Sequence, residues 1–203
     1  MRYPKLRELK EAITALVKGP YTSKFPKEPH APYERFRGSP KYREEDCVGC
    51  SACFQVCPAR AIEMKDEKKM RTLIVHWDIC IFCGQCQANC ITGKGIMLSN
   101  DFDLSTTGKR QELKDEVKKE FLACECCGEN IACIDHIIWT ARKLGPLIFS
   151  NASLMLYYLK NLGLSSPVLA AKEKILPKEE ELVRFDRIKL LCPRCRREAV
   201  LKS

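Results

Sequence analysis

The chain has 203 residues, 45% hydrophobic and 30% charged, with 35 Lys and Arg against 26 Asp and Glu for a formal charge of +9. This is the composition of an ordinary soluble protein of one or two domains. The most apolar stretch, "LIFSNASLMLYYL" (147–159), is too short to span a bilayer and is broken by Ser and Asn. Fourteen cysteines are the anomaly, and they call for either a disulfide framework or metal sites. The N-terminus shows neither the apolar segment nor the small-residue cleavage site of a secretory signal. Because disulfides need an oxidising compartment and these cysteines sit in tight clusters, metal sites are the expectation.

In chain order, "KLRELKEAITALVK" (5–18) places Leu6, Leu9, Ile13, Leu16 and Val17 on one helical stripe flanked by Lys5, Arg7, Lys10 and Lys18. Such a helix packs either on its own domain or on a membrane subunit or headgroup surface. Gly19-Pro20 ends it. Residues 20–40 carry Pro20, Pro26, Pro29, Pro32 and Pro40 with Tyr21, Phe25, Tyr33 and Phe36 interleaved. Prolines at this density forbid a helix or central strand, and the aromatics favour an arm lying on a surface over a bare spacer.

Residues 41–100 hold a repeat: Cys47-x2-Cys50-x2-Cys53-x3-Cys57-Pro58, then Cys80-x2-Cys83-x2-Cys86-x3-Cys90 with Ile91 in place of proline. "AIEMK" (61–65), "RTLIVHW" (71–77) and "GIMLS" (95–99) read as strands. Strand, cysteine loop, short helix, strand, given twice, is the pattern of a two-cluster ferredoxin, and the first run matches the bacterial ferredoxin signature. Three cysteines on a tight loop reach three irons of one cube. The fourth is expected to start a helix that points away and to reach the other cube. The expected ligand sets are crossed: Cys47, Cys50, Cys53 and Cys90 for one 4Fe-4S cluster, and Cys80, Cys83, Cys86 and Cys57 for the other. Zinc sites use two CxxC halves across a longer loop, which neither run provides. Gly49, Ser51 and Gly84 leave room for backbone N–H groups at the cluster sulfurs. Val48, Ile62, Ile81, Phe82 and Ile96 are expected to wall off water.

Residues 109–123, "KRQELKDEVKKEFLA", read as an amphipathic helix with Leu113, Val117, Phe121 and Leu122 on its apolar side. Helices over about 131–144 and 151–161, a polar linker (163–181) and a closing strand–knuckle–strand in "RIKLLCPRCRREAVLK" complete the chain. Cys124-x2-Cys127 and Cys192-x2-Cys195 form two CxxC knuckles, which together make a four-thiolate site for zinc or for a rubredoxin-like iron. Cys126 can substitute for Cys124 or Cys127. By default Cys126 and Cys133 are small buried hydrophobes. His30, His76 and His136 are isolated, and "DEKK" and "EEE" are solvated runs. No phosphate loop, dinucleotide fingerprint or nucleophile constellation is present, so no catalytic residue and no small-molecule substrate are expected. Two oxidised clusters at about −2 each would take the charge from +9 to about +5, and the third site to about +3. The basic balance then reads as compensation and docking charge, and nucleic-acid binding is set aside.

The arm ("GPYTSKFPKEP", "ERFRGSP"), "CVGCSACFQVCP" and "HWDICIFCGQC" together resemble the ferredoxin-like subunit of respiratory complex I. With "SNDFDLS", "CECCG" and "CPRCRR" added, the chain resembles more nearly the equivalent subunit of membrane-bound nickel–iron hydrogenases, including formate hydrogenlyase. The resemblance implies an α+β fold in three parts: an amphipathic helix and docking arm (1–40), a bacterial-type two-cluster ferredoxin core (41–105), and a mostly helical extension closed by a four-Cys knuckle (106–203). It implies a non-catalytic electron-transfer subunit on the cytoplasmic face of a membrane, peripheral, without a transmembrane segment. Its partners would be the small-subunit-like cluster protein and a membrane subunit. A free, diffusible ferredoxin, or the ferredoxin subunit of a soluble oxidoreductase, is the alternative.

Overall fold

The computed structural model describes residues 5–19, 22–163 and 189–201. The linker expected over 163–181 lies, after Gly163, outside the described residues, as do Pro20 and Tyr21 of the expected arm. The chain divides into two units, Met1–Phe36 and Arg37–Ser203.

The first unit is built on helix α1 (Leu6–Lys18). Glu8 begins it by accepting the Lys5 N–H at 3.1 Å, and Gly19, at φ +75°, ends it by donating its N–H to Ala15 O. The expected apolar stripe is present, and no residue of α1 is buried. Leu6 is 87% exposed and Leu16 85%. Among the described residues no helix is long and apolar enough to cross a membrane.

The second unit is a mixed helix–strand body. Strands β1 (Pro40–Tyr42) and β4 (Ile96–Leu98) pair antiparallel, with Tyr42 opposite Ile96. Helices α2 (Ala52–Gln55) and α3 (Gln85–Ala88) follow the two cysteine loops. Strands β2 (Ile62–Asp66), β3 (Met70–His76), β5 (Lys114–Ala123) and β6 (Asn130–Cys133) form an antiparallel sheet in the order β2-β3-β5-β6. Helices α4 (Ile134–Leu144) and α5 (Ala152–Asn161) follow, separated by a 3-10 turn, and α6 (Pro193–Leu201) closes the described chain. The core beneath the cysteine loops is Ile62, Leu73, Val75, Ile96 and Val117, each 4% exposed or less. Burying an aliphatic side chain of this size stabilises by about 1.5–3 kcal/mol.

Three expectations need correction. Residues 109–123 are not a helix: a 3-10 turn (Arg110–Glu112) leads into the ten-residue strand β5. Leu113, Val117 and Phe121 recur every four residues, which suits one helix face and one strand face equally. Pairing along the whole of β3, from Met70 opposite Glu120 to His76 opposite Lys114, decides for the strand over the helix propensity of Lys and Glu. The extension therefore begins as sheet, and the segment after Cys192 is helix α6 rather than strand. Pro193 is its first residue, where a missing N–H costs nothing.

The last four residues of the expected arm, Arg37–Pro40, are part of the second unit. Ser39 is fully buried, its N–H donates to Asp101 O at 3.0 Å, and the Trp77 indole donates to Pro40 O at 2.8 Å. A Cβ on Gly38 would lie 2.6 Å from Ser99 O and 2.8 Å from Asp101 N, so only glycine lets the two backbones pass.

Candidate metal centres

Each cysteine loop turns through two left-handed residues at matching positions. In the first these are Gly49 (φ +69°) and Ser51 (φ +62°); in the second, Phe82 (φ +53°) and Gly84 (φ +79°). This conformation turns successive N–H groups to one side and makes an anion-binding concavity. The demand comes from the loop and not from glycine, since Ser51 and Phe82 meet it at a steric cost. The left-handed turn at Phe82 escapes a sequence reading because the residue is not glycine. The cysteine repeat is the signal that could have found it.

In both repeats the third cysteine, Cys53 or Cys86, sits inside the short helix, and the fourth follows that helix instead of starting one. The reason differs between the two. Pro58 holds Cys57 out of the helical region, whereas the second helix ends at Asn89 (φ −101°) without a proline. Cys57 Sγ accepts the Ala61 N–H at 3.3 Å, and Cys80 Sγ that of Phe82 at 3.4 Å. In the longer second turn Thr92 takes over: its hydroxyl lies 3.3 Å from Cys90 Sγ and accepts the Gly95 N–H at 3.0 Å.

The eight thiols gather around two internal cavities. One is lined by Cys47, Cys50, Cys53 and Cys90, with Val48, Leu73 and Ile96. The other is lined by Cys57, Cys80, Cys83 and Cys86, with Ile62, Val75 and Leu98. The expected apolar wall is partly as read: Val48, Ile62 and Ile96 are buried, whereas Ile81 borders the second cavity yet is 61% exposed.

Burial pushes the thiol of Cys53 up to about 12 and that of Cys86 up to about 11, and also raises Cys47 and Cys80. At Cys90 burial acts the same way, but the Thr92 hydroxyl and the N–H groups of Thr92, Ile96 and Gly95 outweigh it and bring the thiol down. The four raised thiols, Cys47, Cys53, Cys80 and Cys86, call for a strong Lewis acid to ionise them, as a cluster iron would supply. Four thiols around each apolar cavity, bordered by inward N–H groups, form a donor set that fits an iron–sulfur cube.

Sequence reading missed four neighbours of the first cysteine loop. The Tyr42 hydroxyl lies 3.7 Å from Cys53 Sγ, and burial raises its pKa so that it stays protonated. Arg71 on β3 donates to Gly49 O at 3.0 Å. Cys133 is 1% exposed, as a buried small residue should be, and its Sγ lies 3.5 Å from Gly49 O. Lys119 on β5 is 8% exposed, with its ammonium on Glu44 O at 2.5 Å.

A third cluster of thiols lies in the extension. The Sγ atoms of Cys124, Cys127, Cys192 and Cys195 are all within 4.8 Å of one another. Cys124 leaves β5 into a turn closed by Gly128 (φ +74°), whose N–H reaches Cys124 O at 3.0 Å. Cys192 and Cys195 bracket the start of α6. Glu125 joins the two knuckles: its N–H donates to Leu190 O, and its carboxylate accepts the Leu190 N–H, both at 2.8 Å. Burial alone would raise the Cys124 thiol, but N–H groups of Cys127, Cys192 and Cys126 reverse this and hold it at about 6. Four converging sulfurs, one of them favoured as a thiolate by these N–H groups, can take a tetrahedral metal ion. Cys126 lies outside the converging group and is exposed, against the expectation of a buried hydrophobe.

Comparison with known proteins bears on the first two centres. Residues 34–94 match the 4Fe-4S dicluster domain family. Over 105 residues the chain is 30% identical to NAD(P)H-quinone oxidoreductase subunit I of Gloeobacter violaceus, covering 48% of this chain and 50% of that protein. Over 111 residues it is 34% identical to formate hydrogenlyase subunit 6 of Escherichia coli, covering 53% and 59%. A solved structure of the membrane-bound sulfane sulfur reductase, an archaeal respiratory membrane complex, aligns at 32% identity and a TM-score of 0.40, over 56% of this chain and 62% of that one. The chain thus spans about half the length of the two relatives. The likeness to a 4Fe-4S dicluster domain is thus confined to residues 34–94, and the chain is similar to these two subunits over about half its length.

Proposed function

We propose that this chain, built around its 4Fe-4S dicluster domain, is a non-catalytic electron-transfer subunit of a membrane-associated respiratory assembly of the complex I or hydrogenase type. The observation that carries this reading is the pair of cavities, each lined by three cysteines of one run and the fourth of the other. On this reading Cys47, Cys50, Cys53 and Cys90 hold the first cluster, and Cys57, Cys80, Cys83 and Cys86 the second. Each cluster supplies a one-electron couple when bound. The chain holds it, keeps water away with Val48, Ile62, Leu73 and Ile96, and aims N–H groups at the sulfurs. Cys124, Cys127, Cys192 and Cys195 hold one zinc or a rubredoxin-like iron, which staples the extension closed.

The exposed stripe of α1 docks on the assembly at the cytoplasmic face of the membrane, against a membrane subunit or the headgroups. The names of both relatives support a multisubunit setting, and the small-subunit-like cluster protein is the electron partner in this reading.

Metal and sulfide content of anaerobically purified protein tests the cofactors. About eight irons and eight sulfides per chain, plus one further metal ion, are expected. Zinc without sulfide in a fully reconstituted sample would overturn the cluster reading. A chain lacking residues 1–36 tests the arm. It is expected to keep both clusters, because the cut spares Ser39 and Pro40 in the core, and to lose comigration with a larger complex on native gels. Unchanged comigration would sink the docking role, and a full-length chain running at its monomer mass in fresh extract would favour the diffusible ferredoxin.

A further inference from the structure

Arg71 and Lys119 sit directly opposite each other on β3 and β5. Opposed residues of an antiparallel pair share a face, and like charges placed so are destabilising. Neither is a solvated surface cation: their side chains are 17% and 9% exposed. Both are turned onto the backbone of the first cysteine loop, Arg71 onto Gly49 O at 3.0 Å and Lys119 onto Glu44 O. Their acidic partners are more open to solvent. Asp66 takes Arg71 through two bonds of 2.8 Å, and Asp135, 46% exposed, takes Lys119 at 2.8 Å. The counter-charges lie at the wetter end of each pair, where solvent screens them best.

The second loop has no such floor among the described residues. There Arg37 Nη1 reaches Cys83 O at 3.3 Å, from an exposed side chain. Lys119 is also unexpected on its own strand, since it fills the inner position between Val117 and Phe121 where an apolar residue would pack.

We infer that the Arg71–Lys119 pair, with Lys119 buried and Arg71 largely shielded, is an electrostatic floor that raises the reduction potential of the first cluster above the value its cavity alone would set. The inference rests on the ligand reading above. A reduced cluster with four thiolates carries one more negative charge than an oxidised one, so a fixed buried cation favours the reduced form. The electron enters from an external donor, here dithionite, and no bond or proton at Lys119 changes. Two like charges can then share a sheet face because a third charge of opposite sign faces them.

The test is a redox titration with dithionite, followed by EPR, on the reconstituted full-length chain and its variants. The first cluster is identified as the signal altered by Cys50→Ser. In Lys119→Met, the reduced-to-oxidised ratio of the first cluster at a fixed potential is expected to fall about tenfold, a ~59 mV shift for a one-electron couple. The second cluster should hold its potential. Lys119→Arg should restore the ratio. Asp135→Asn, at the solvent end of the pair, should shift the first cluster the opposite way by a smaller amount, a sign that loosened packing would not produce. If Lys119→Met fails to retain its iron, Lys119→Arg and Asp135→Asn decide the matter between them. An unshifted first cluster in Asp135→Asn or a shifted one in Lys119→Arg, with about eight irons present, or equal shifts in both clusters, would overturn the inference. A wild-type chain that holds fewer clusters would instead overturn the ligand reading beneath it.

Discussion

Replacing Cys57 by Ala is expected to remove the second cluster and leave the first, although Cys57 belongs to the first run. Cys57 borders the cavity that also holds Cys80, Cys83 and Cys86, while its own run-mates line the other. Losing one of four thiolates would leave one iron without its ligand, in a cavity lined on that side by the apolar Ala59, Ala61 and Ile62. Iron content should fall by about four per chain, and the spin coupling between reduced clusters should vanish. Cys90→Ala is the mirror experiment and should spare the second cluster. If Cys57→Ala instead abolished the signal altered by Cys50→Ser, the ligand sets would be uncrossed.

The second large effect is expected at Cys192. It is 2% exposed, its N–H reaches Cys124 Sγ at 3.2 Å, and its own Sγ accepts the Cys195 N–H at 3.5 Å. The packing around it is thin: Cys124, Leu191, Cys192 and Cys195 with Ile131 and Ala199. So small a cluster stabilises little unless a metal joins it, whereas structural zinc contributes apparent free energies of about 10–16 kcal/mol in zinc-finger peptides. Cys192→Ala should therefore abolish the one metal equivalent that is not cluster iron and free residues 189–201 to proteolysis. The two 4Fe-4S signals should persist. Retention of the extra metal, with the C-terminal segment still protected, would show that the four thiols do not form its site.

The ferredoxin part was legible because its chemistry dictates its spacing. On the proposed ligand reading a thiolate cannot be moved along the chain without losing an iron, so Cys47–Cys57 and Cys80–Cys90 announce themselves, as do strands such as Met70–His76 with their β-branched runs. The knuckle pair was legible for the same reason. Strand β5 was not, because its apolar residues recur at a spacing that both helix and strand accept, and only pairing with β3 separates them. Lys119 and Arg71 were illegible for a related cause. A charged residue in a charged segment reads as surface until the fold turns its strand inward. Ile81 failed in the opposite sense, since an apolar residue between two cysteines reads as cavity wall while the loop leaves it facing solvent.

Strand β5 also bears on how the ferredoxin part could be separated. Every residue of β3 from Met70 to His76 has a partner on β5. A chain ending before β5 would leave β3 as a bare edge, with Leu73, Ile74 and Val75 at its centre. A flat, β-branched edge with unpaired N–H and C=O groups invites another chain to add on. The strand that carries the chain towards the four-thiol group of the extension thus also serves as a cap against self-association, and the smallest soluble piece holding the cysteine repeat would have to include it.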